Sequence, residues 1–419
     1  MAEGLAAVFW GIITFSLLVV IHEGGHFVAA RLFGVKVHEF MVGLPGPALR
    51  IRGKKTTYGV TAVPLGGYVR IAGMEPGPED PLLGPALALV TRLGQADSMM
   101  ISQELGIDPK DADRVMLTLA DWDALEAIDG DDYSYRSRFA PVDADDPIAL
   151  LDRARSVTYR ALPTWKRVAM LSAGVAFNLA TAILVFTVVL STFGYLKETG
   201  RIEVPSTDSA AAVAGLVTGD HIIRIGDKDI TEFSQIVTAI SAHKPGDRVP
   251  VTFERNAVRR TVTAVLGTNP KGGALLGVTS QVVATKPSVL QAIALSFSYI
   301  GMVFVAIAGF FNPETFRVSV SQSSSVIGAS VIAADAAREG ALSYAGLVAV
   351  LSLSLGVINI LPIPPLDGGK IAVELVERLR GKPFSRRVSL SFSAVGAMLL
   401  FSLIGYLMYA DIVRLTMHG

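Results

Sequence analysis

The amino-acid sequence predicts a polytopic α-helical membrane protein that also carries water-exposed mass. Three observations lead there. Of the 419 residues 51% are hydrophobic and only 18% are charged, where soluble domains come nearer a quarter charged. Mean hydropathy is +0.49. Several uncharged stretches reach the roughly 20 residues that a helix needs to cross a bilayer.

Four segments read as spanning helices: about 5–33, 168–195, 341–361 and 388–409. Met-Ala-Glu-Gly at the start lacks the basic region of a signal peptide, so the first helix is expected to be retained. Lys and Arg collect after that helix (Arg31, Lys36, Arg50, Arg52, Lys54, Lys55) and before the second (Lys166, Arg167). They collect again between the third and fourth (Lys370, Arg378, Arg380, Lys382, Arg386, Arg387). The positive-inside rule makes these loops cytoplasmic, with both termini and 197–340 outside. A fifth apolar run, 288–311, is long enough to span. If it crossed, the third core helix would run outward, so it is expected to lie along the outer interface or to dip back.

The stretch 56–73, "TTYGVTAVPLGGYVRIAG", reads as a hairpin of two short β-runs around "PLGG". Residues 75–150 are acidic and rich in Asp, Pro and Gly. They suggest a small insert, a partly ordered loop or a solvated linker. Within them "DPKDADRVMLTLADWDALEAI" looks helical, with Asp108 as cap and Pro109 in the first turn. Residues 200–268 turn soluble, with β-prone runs and one helical run; Gly219 and Asp220 suit a turn. No internal repeat is evident. The formal net charge is zero, so composition gives no sign of a nucleic-acid partner.

The chain contains no cysteine. A metal must therefore be held by His, Asp or Glu. "HEGGH" places His22 and His26 four residues apart, on one helix face, with Glu23 between. His-Glu-x-x-His is a zinc signature in which the imidazoles bind and the Glu acts as general base. Ionisable groups inside an apolar helix default to functional sites. Catalytic zinc needs a third protein ligand and an open position. His38, His221, His243 and His418 lie in loops, the outer segment or the tail. The better source is "NILPIPPLDGGK", 359–370, where prolines break the third helix and Asp367 follows. A plain helix stop with Asp367 capping the next helix is the alternative. About 17 residues precede His22 in its helix, a rise of roughly 26 Å, and Asp367 ends a helix running inward, so both reach the same depth.

These residues resemble the site-2 proteases, intramembrane zinc metalloproteases, and among them the bacterial type that clips membrane-tethered anti-sigma factors. "HEGGH" fits the family's first motif and "YGVTAVPLGGYVRIAG" its membrane-associated β-hairpin. "AGVAFN", ending in Asn178, fits Gly-x-x-x-Asn, and "NILPIPPLDGG" fits Asn-x-x-Pro-x-Pro-x-Leu-Asp-Gly. Val175 stands where the family usually has Pro, and "SSSV" at 323–326 stands where Ser-Gly-Pro is expected. The 200–268 segment resembles an inserted PDZ domain; residues 75–150 have no counterpart in the resemblance.

The resemblance implies a fold of four core transmembrane helices with a membrane-associated β-hairpin and an inserted α+β PDZ-like domain. The chain then divides into 1–74 (first helix and hairpin), 75–165 (acidic cytoplasmic insert), 166–197 (second helix) and 198–285 (extracytoplasmic PDZ-like domain). An interfacial or re-entrant segment, 286–340, and the last two core helices, 341–419, complete it. It implies Zn2+ on His22, His26 and Asp367, Glu23 as base, and substrate placement by Asn178 and Asn359, whose other reading is interhelical hydrogen bonding. The expected partners are the lipid bilayer and membrane-spanning substrates already trimmed outside by a site-1-type protease, and the expected location is the cytoplasmic (inner) membrane. The 56–73 edge could take an extended substrate by strand addition. The PDZ-like domain would act as a steric filter or bind a new C-terminus. A catalytically inactive PDZ-bearing scaffold and a metal transporter are the competing classes.

Overall fold

The computed structural model describes residues 2–63, 66–128, 131–270 and 272–417. It forms two compact units, 1–187 with 293–419, and 188–292.

The larger unit begins with helix α1 (Ala2–Leu32), ended by Gly34 in a left-handed conformation. Strands β1 (Val37–Val42), β2 (Ala48–Arg52), β3 (Thr57–Thr61) and β4 (Gly67–Ile71) follow in one sheet of order β2-β3-β1-β4. The two runs of 56–73 therefore do not pair with each other, contrary to the expected hairpin. β1 lies between them, parallel to β3 and antiparallel to β4, and the hairpin is β2–β3. The reason is burial. β1 puts Val37 and Met41 into the core, so it takes the interior place, and the 62–66 connection is tied to its end by Leu44 N–H to Val63 O (3.0 Å) and Gly43 N–H to Gly66 O (2.8 Å). Pro64 and Leu65 of "PLGG" lie outside the described residues. The sheet rests on α1: a Cβ on Gly67 would meet Val19 at 2.6 Å.

Residues 83–155 fold on their own core. Helix α2 (Leu83–Leu93), strand β5 (Gln95–Asp97), helices α3 (Ser98–Leu105) and α4 (Pro109–Asp121), strands β6 (Leu125–Ile128) and β7 (Asp131–Ser137) and helix α5 (Pro147–Arg155) enclose Leu87, Ile101, Met116, Leu119 and Trp122. Asp108 caps α4 at Lys110 N (2.8 Å), with Pro109 in the first turn, as the sequence suggested. The expected helix stops sooner: Asp123, at φ +61°, reverses the chain and 125–128 become β6.

Helix α6 (Thr164–Phe193) leads to the smaller unit. Here β8 (Tyr195–Glu203) is followed by α7 (Ala210–Val213), β9 (His221–Ile225), β10 (Lys228–Asp229), α8 (Phe233–Ser241), β11 (Arg248–Arg255) and β12 (Val258–Val265). Short β13 (Gly267–Thr268) and β14 (Ala274–Leu275) precede β15 (Thr279–Thr285), which pairs with β8. A sheet of order β10-β9-β11-β12 packs around Ile222, Ile236, Val251 and Phe253. Asp220 is fully buried and clasped at both oxygens by Arg255, each at 2.7 Å.

The chain returns through α9 (Val289–Ala308), α10 (Phe316–Gln322), α11 (Val326–Glu339), α12 (Ala341–Ile360), α13 (Asp367–Arg380) and α14 (Arg386–Met417). Among the described residues five helices are long and apolar enough to cross a membrane: Glu3–Leu32, Thr164–Phe193, Val289–Phe311, Ala341–Ile360 and Arg386–Val413. Tyr299 of α9 stacks on Phe186 of α6 (5.1 Å). α11 runs opposite to α1, with Arg338 4.0 Å from Glu3 and Ser330 against Gly11. α12 runs with α1: Tyr344 meets Thr14 at 2.8 Å, and Asp367, seven residues beyond the end of α12, comes to the histidines.

Candidate metal centre

His22 and His26 project from one face of α1, their rings 5.0 Å apart and nearly perpendicular. Asp367 is the first residue of α13. Its Oδ2 lies 3.0 Å from Nε2 of both histidines. All three residues are at most 9% exposed. Their donor atoms lie within 4.8 Å of one another, close enough for one ion. Leu366 is the N-cap of α13 and makes no side-chain cap bond. Asp367 therefore does not cap its helix; its side chain is turned to the imidazoles. Lys370, one turn on, meets Oδ1 at 3.2 Å.

Glycines make the convergence possible. A Cβ on Gly174 of α6 would stand 2.5 Å from His26 Nε2 and 2.7 Å from His22 Cε1. A Cβ on Gly25 would collide with the Ala173 carbonyl, and one on Gly368 or Gly369 with the backbone of Ile360–Pro364. Gly24 has open space around it. Of the two glycines in HEGGH, only Gly25 serves a close approach.

The outer ring nitrogens are also engaged. His26 Nδ1 lies 2.9 Å from the Met170 carbonyl. A carbonyl accepts only, so Nδ1 carries the proton and Nε2 keeps its lone pair for a metal. His22 Nδ1 lies 3.1 Å from the Asn178 amide. Asn178 is fully buried, and its Oδ1 meets no partner. Turning the amide by half a turn places Oδ1 on an Nδ1–H donor and frees His22 Nε2 in the same way. Asn178 thus touches a ligand ring, a contact the sequence did not suggest. Asn359 is buried in the last turn of α12. Glu23 is half-buried and does not belong to the His–His–Asp group. His38 sits instead against Asp121, its Nε2 2.6 Å from that residue's carbonyl. His418 lies outside the described residues.

Lys370 and the Met170 carbonyl were missed by sequence reasoning, which had Gly174 as the glycine of Gly-x-x-x-Asn but not its place against the imidazoles. Of the first two, only Lys370 left a signal there, at i+3 from Asp367. Two imidazoles and one carboxylate on a single point are a donor set suited to Zn2+ with one position left open.

Fold and site together define a multi-pass membrane protein with a buried His–His–Asp centre beside an uncoordinated carboxylate. The profile of peptidase family M50 matches residues 10–403, and the chain belongs to that family. It is 26% identical over 424 residues to zinc metalloprotease RasP of Geobacillus kaustophilus, covering 99% of both chains. It is 26% identical to the regulator of sigma-W protease RasP of Bacillus subtilis (96% of this chain, 97% of that one). A putative zinc metalloprotease of Synechocystis is 28% identical (96% and 93%). Among solved structures, the PDZ domain of an SdrC-like protein from Listeria monocytogenes matches with 22% identity and a TM-score of 0.18, over 20% of this chain and 92% of that one.

Proposed function

We propose that this zinc metalloendopeptidase of the site-2 type cleaves within the transmembrane segments of membrane-tethered proteins. The observation that carries the reading is the meeting of His22 and His26, in a helix of spanning length, with Asp367, seven residues beyond the end of another, beside Glu23. Zinc enters from the relatives' names and fits the donor set. Bound there, Zn2+ supplies Lewis acidity to the scissile carbonyl and the attacking water. Glu23 takes the proton of that water and returns it to the leaving amine. Asn178 steadies His22 with one amide atom, and its other atom is left for the substrate backbone. Asn359 is the second substrate-placing amide. Of the 56–73 segment only β4 stands at a sheet edge, and an extended substrate would pair there.

We read its substrates as including anti-sigma factors first trimmed by a site-1-type protease; that one relative is named regulator of sigma-W protease supports a place in sigma-factor control. The smaller unit is read as a PDZ domain on the extracytoplasmic side. Residues 286–340 are read as entering the bilayer and returning, because α11 pairs with the first half of α1 in the opposite sense.

The test is zinc content and cleavage of a membrane-tethered reporter in reconstituted enzyme. Glu23→Gln should keep zinc and lose cleavage by at least about a hundredfold. His22→Ala and Asp367→Ala should lose both. Normal turnover by Glu23→Gln would end the mechanism.

A further inference from the structure

The segment 83–137 runs helix, strand, helix, turn, helix, strand, strand, with antiparallel sheet order β5-β7-β6. α3 and α4 are joined by Gly106-Ile107-Asp108, Gly106 being left-handed. This is a helix-turn-helix followed by a β-hairpin, the winged-helix arrangement of recognition modules. A private core of Leu83, Leu87, Ile101, Met116, Leu119 and Trp122 holds it together.

Charge says what such a module recognises. Residues 75–155 hold 18 Asp and Glu against 7 Lys and Arg. The whole chain has 37 of each, so the rest holds 19 acidic and 30 basic residues. A helix-turn-helix that binds nucleic acid neutralises phosphates with Lys and Arg. On α3 and α4 the bases are Lys110 and Arg114, and Arg114 is engaged by Asp80 (2.8 Å) and Asp111 (2.6 Å). An anionic lipid surface is repelled for the same reason. α3 exposes Met99 and Met100 together with Glu104, four residues after Met100, and α4 exposes Leu117. Acidic and apolar together, this surface fits a basic polypeptide.

The module is fixed to the metal-bearing part of the unit. Asp121, at the end of α4, is 7% exposed. It accepts from Gly73 N–H (2.9 Å) and Arg70 Nη2 (3.2 Å). Asp123 meets Lys36 at 2.8 Å. These partners belong to β4, to its end and to the approach to β1. β4 in turn packs through Gly67 on Val19, three residues before His22.

We propose that the winged-helix module docks the basic juxtamembrane segment of a membrane-tethered substrate and holds it beside the β1–β4 sheet. The proposal rests on the proteolytic reading above. The positive-inside rule gives membrane-tethered proteins Lys and Arg on the cytoplasmic flank. It also places this module there, between the basic loops of the chain's own first and second helices. Each exposed charge pair contributes little in water, so docking is salt-sensitive and lowers KM rather than raising kcat.

The test uses full-length, zinc-loaded protein in nanodiscs and two reporters with one transmembrane segment. One carries a lysine-rich cytoplasmic flank, the other a serine-rich flank. The basic flank should lower KM about tenfold at low salt, equivalent to about 1.4 kcal/mol, and lose that advantage at high salt. Glu104→Lys combined with Leu117→Lys should bring the two KM values together; hydrogen exchange across 83–137 equal to wild type shows that the module of this variant is folded. In a second arm, Glu23→Gln protein is titrated with a fluorescent lysine-rich peptide and with a short DNA duplex. Peptide binding without duplex binding supports the proposal. Equal KM values in the wild type, or binding of the duplex in preference to the peptide, overturn it. If neither reporter is cut, the proteolytic reading has failed, and the peptide arm still decides the docking.

Discussion

Around the metal centre the helices meet through glycine, whereas in the winged-helix module they meet through leucine, methionine and tryptophan. Gly25 lies on the Ala173 carbonyl, Gly174 on His22 and His26, and a Cβ on Gly356 would be 3.0 Å from Leu179. In the module Leu83, Leu87, Ile101, Met116, Leu119 and Trp122 are each less than 2% exposed. The surroundings explain the contrast. Lipid tails are as apolar as leucine, so burying leucine between spanning helices gains little; close backbone approach and polar contacts hold them together instead. In water, removing apolar surface is the main stabilising term. One region is therefore sensitive to added atoms and the other to lost ones.

The largest effect should come from adding a single methyl group. Gly174→Ala places a Cβ 2.5 Å from His26 Nε2, so the purified protein should lose its zinc and its activity together. Gly24→Ala, with nothing nearby, should keep both. If both variants hold zinc equally, glycine packing does not set the centre. The converse change removes atoms from the module. Leu119→Ala should destabilise it by about 2–5 kcal/mol, seen as faster hydrogen exchange across 83–137, while bound zinc stays at the wild-type level. Loss of zinc in that variant would show that the two regions are not separable. The smallest change is Asn178→Ala. It leaves the packing in place and removes the partner of His22, so zinc affinity should fall about 10- to 100-fold in a chelator competition. An unchanged affinity would show that the contact does not orient the ring.

The same contrast explains what the sequence made legible. The meeting of His22, His26 and Asp367 could be expected because the two histidines are local neighbours on a helix and Asp367 follows a run of prolines that a continuous span would not tolerate. Pairing over distance was not readable. "VHEFMV" carries no mark that it separates β3 from β4, and only its burial shows why it does. The winged helix was hidden by its own surface. The helix carrying Ala112, Val115, Met116 and Leu119 was legible, but the acidic residues of 75–150 left a small insert, a partly ordered loop and a solvated linker all open. Asn178 could be noticed as a polar residue in an apolar helix, yet its partner, 156 positions away, could not be named.

Asp367 and His26 touch across 341 positions of sequence. A ribosome adding on the order of 5–20 residues per second needs roughly 20–70 s to travel between them. Throughout that interval the nascent chain holds His22, Glu23 and His26 but not Asp367. Every helix from α1 to α12 is made before Asp367 exists, so the translocation machinery meets no complete His–His–Asp group in that interval.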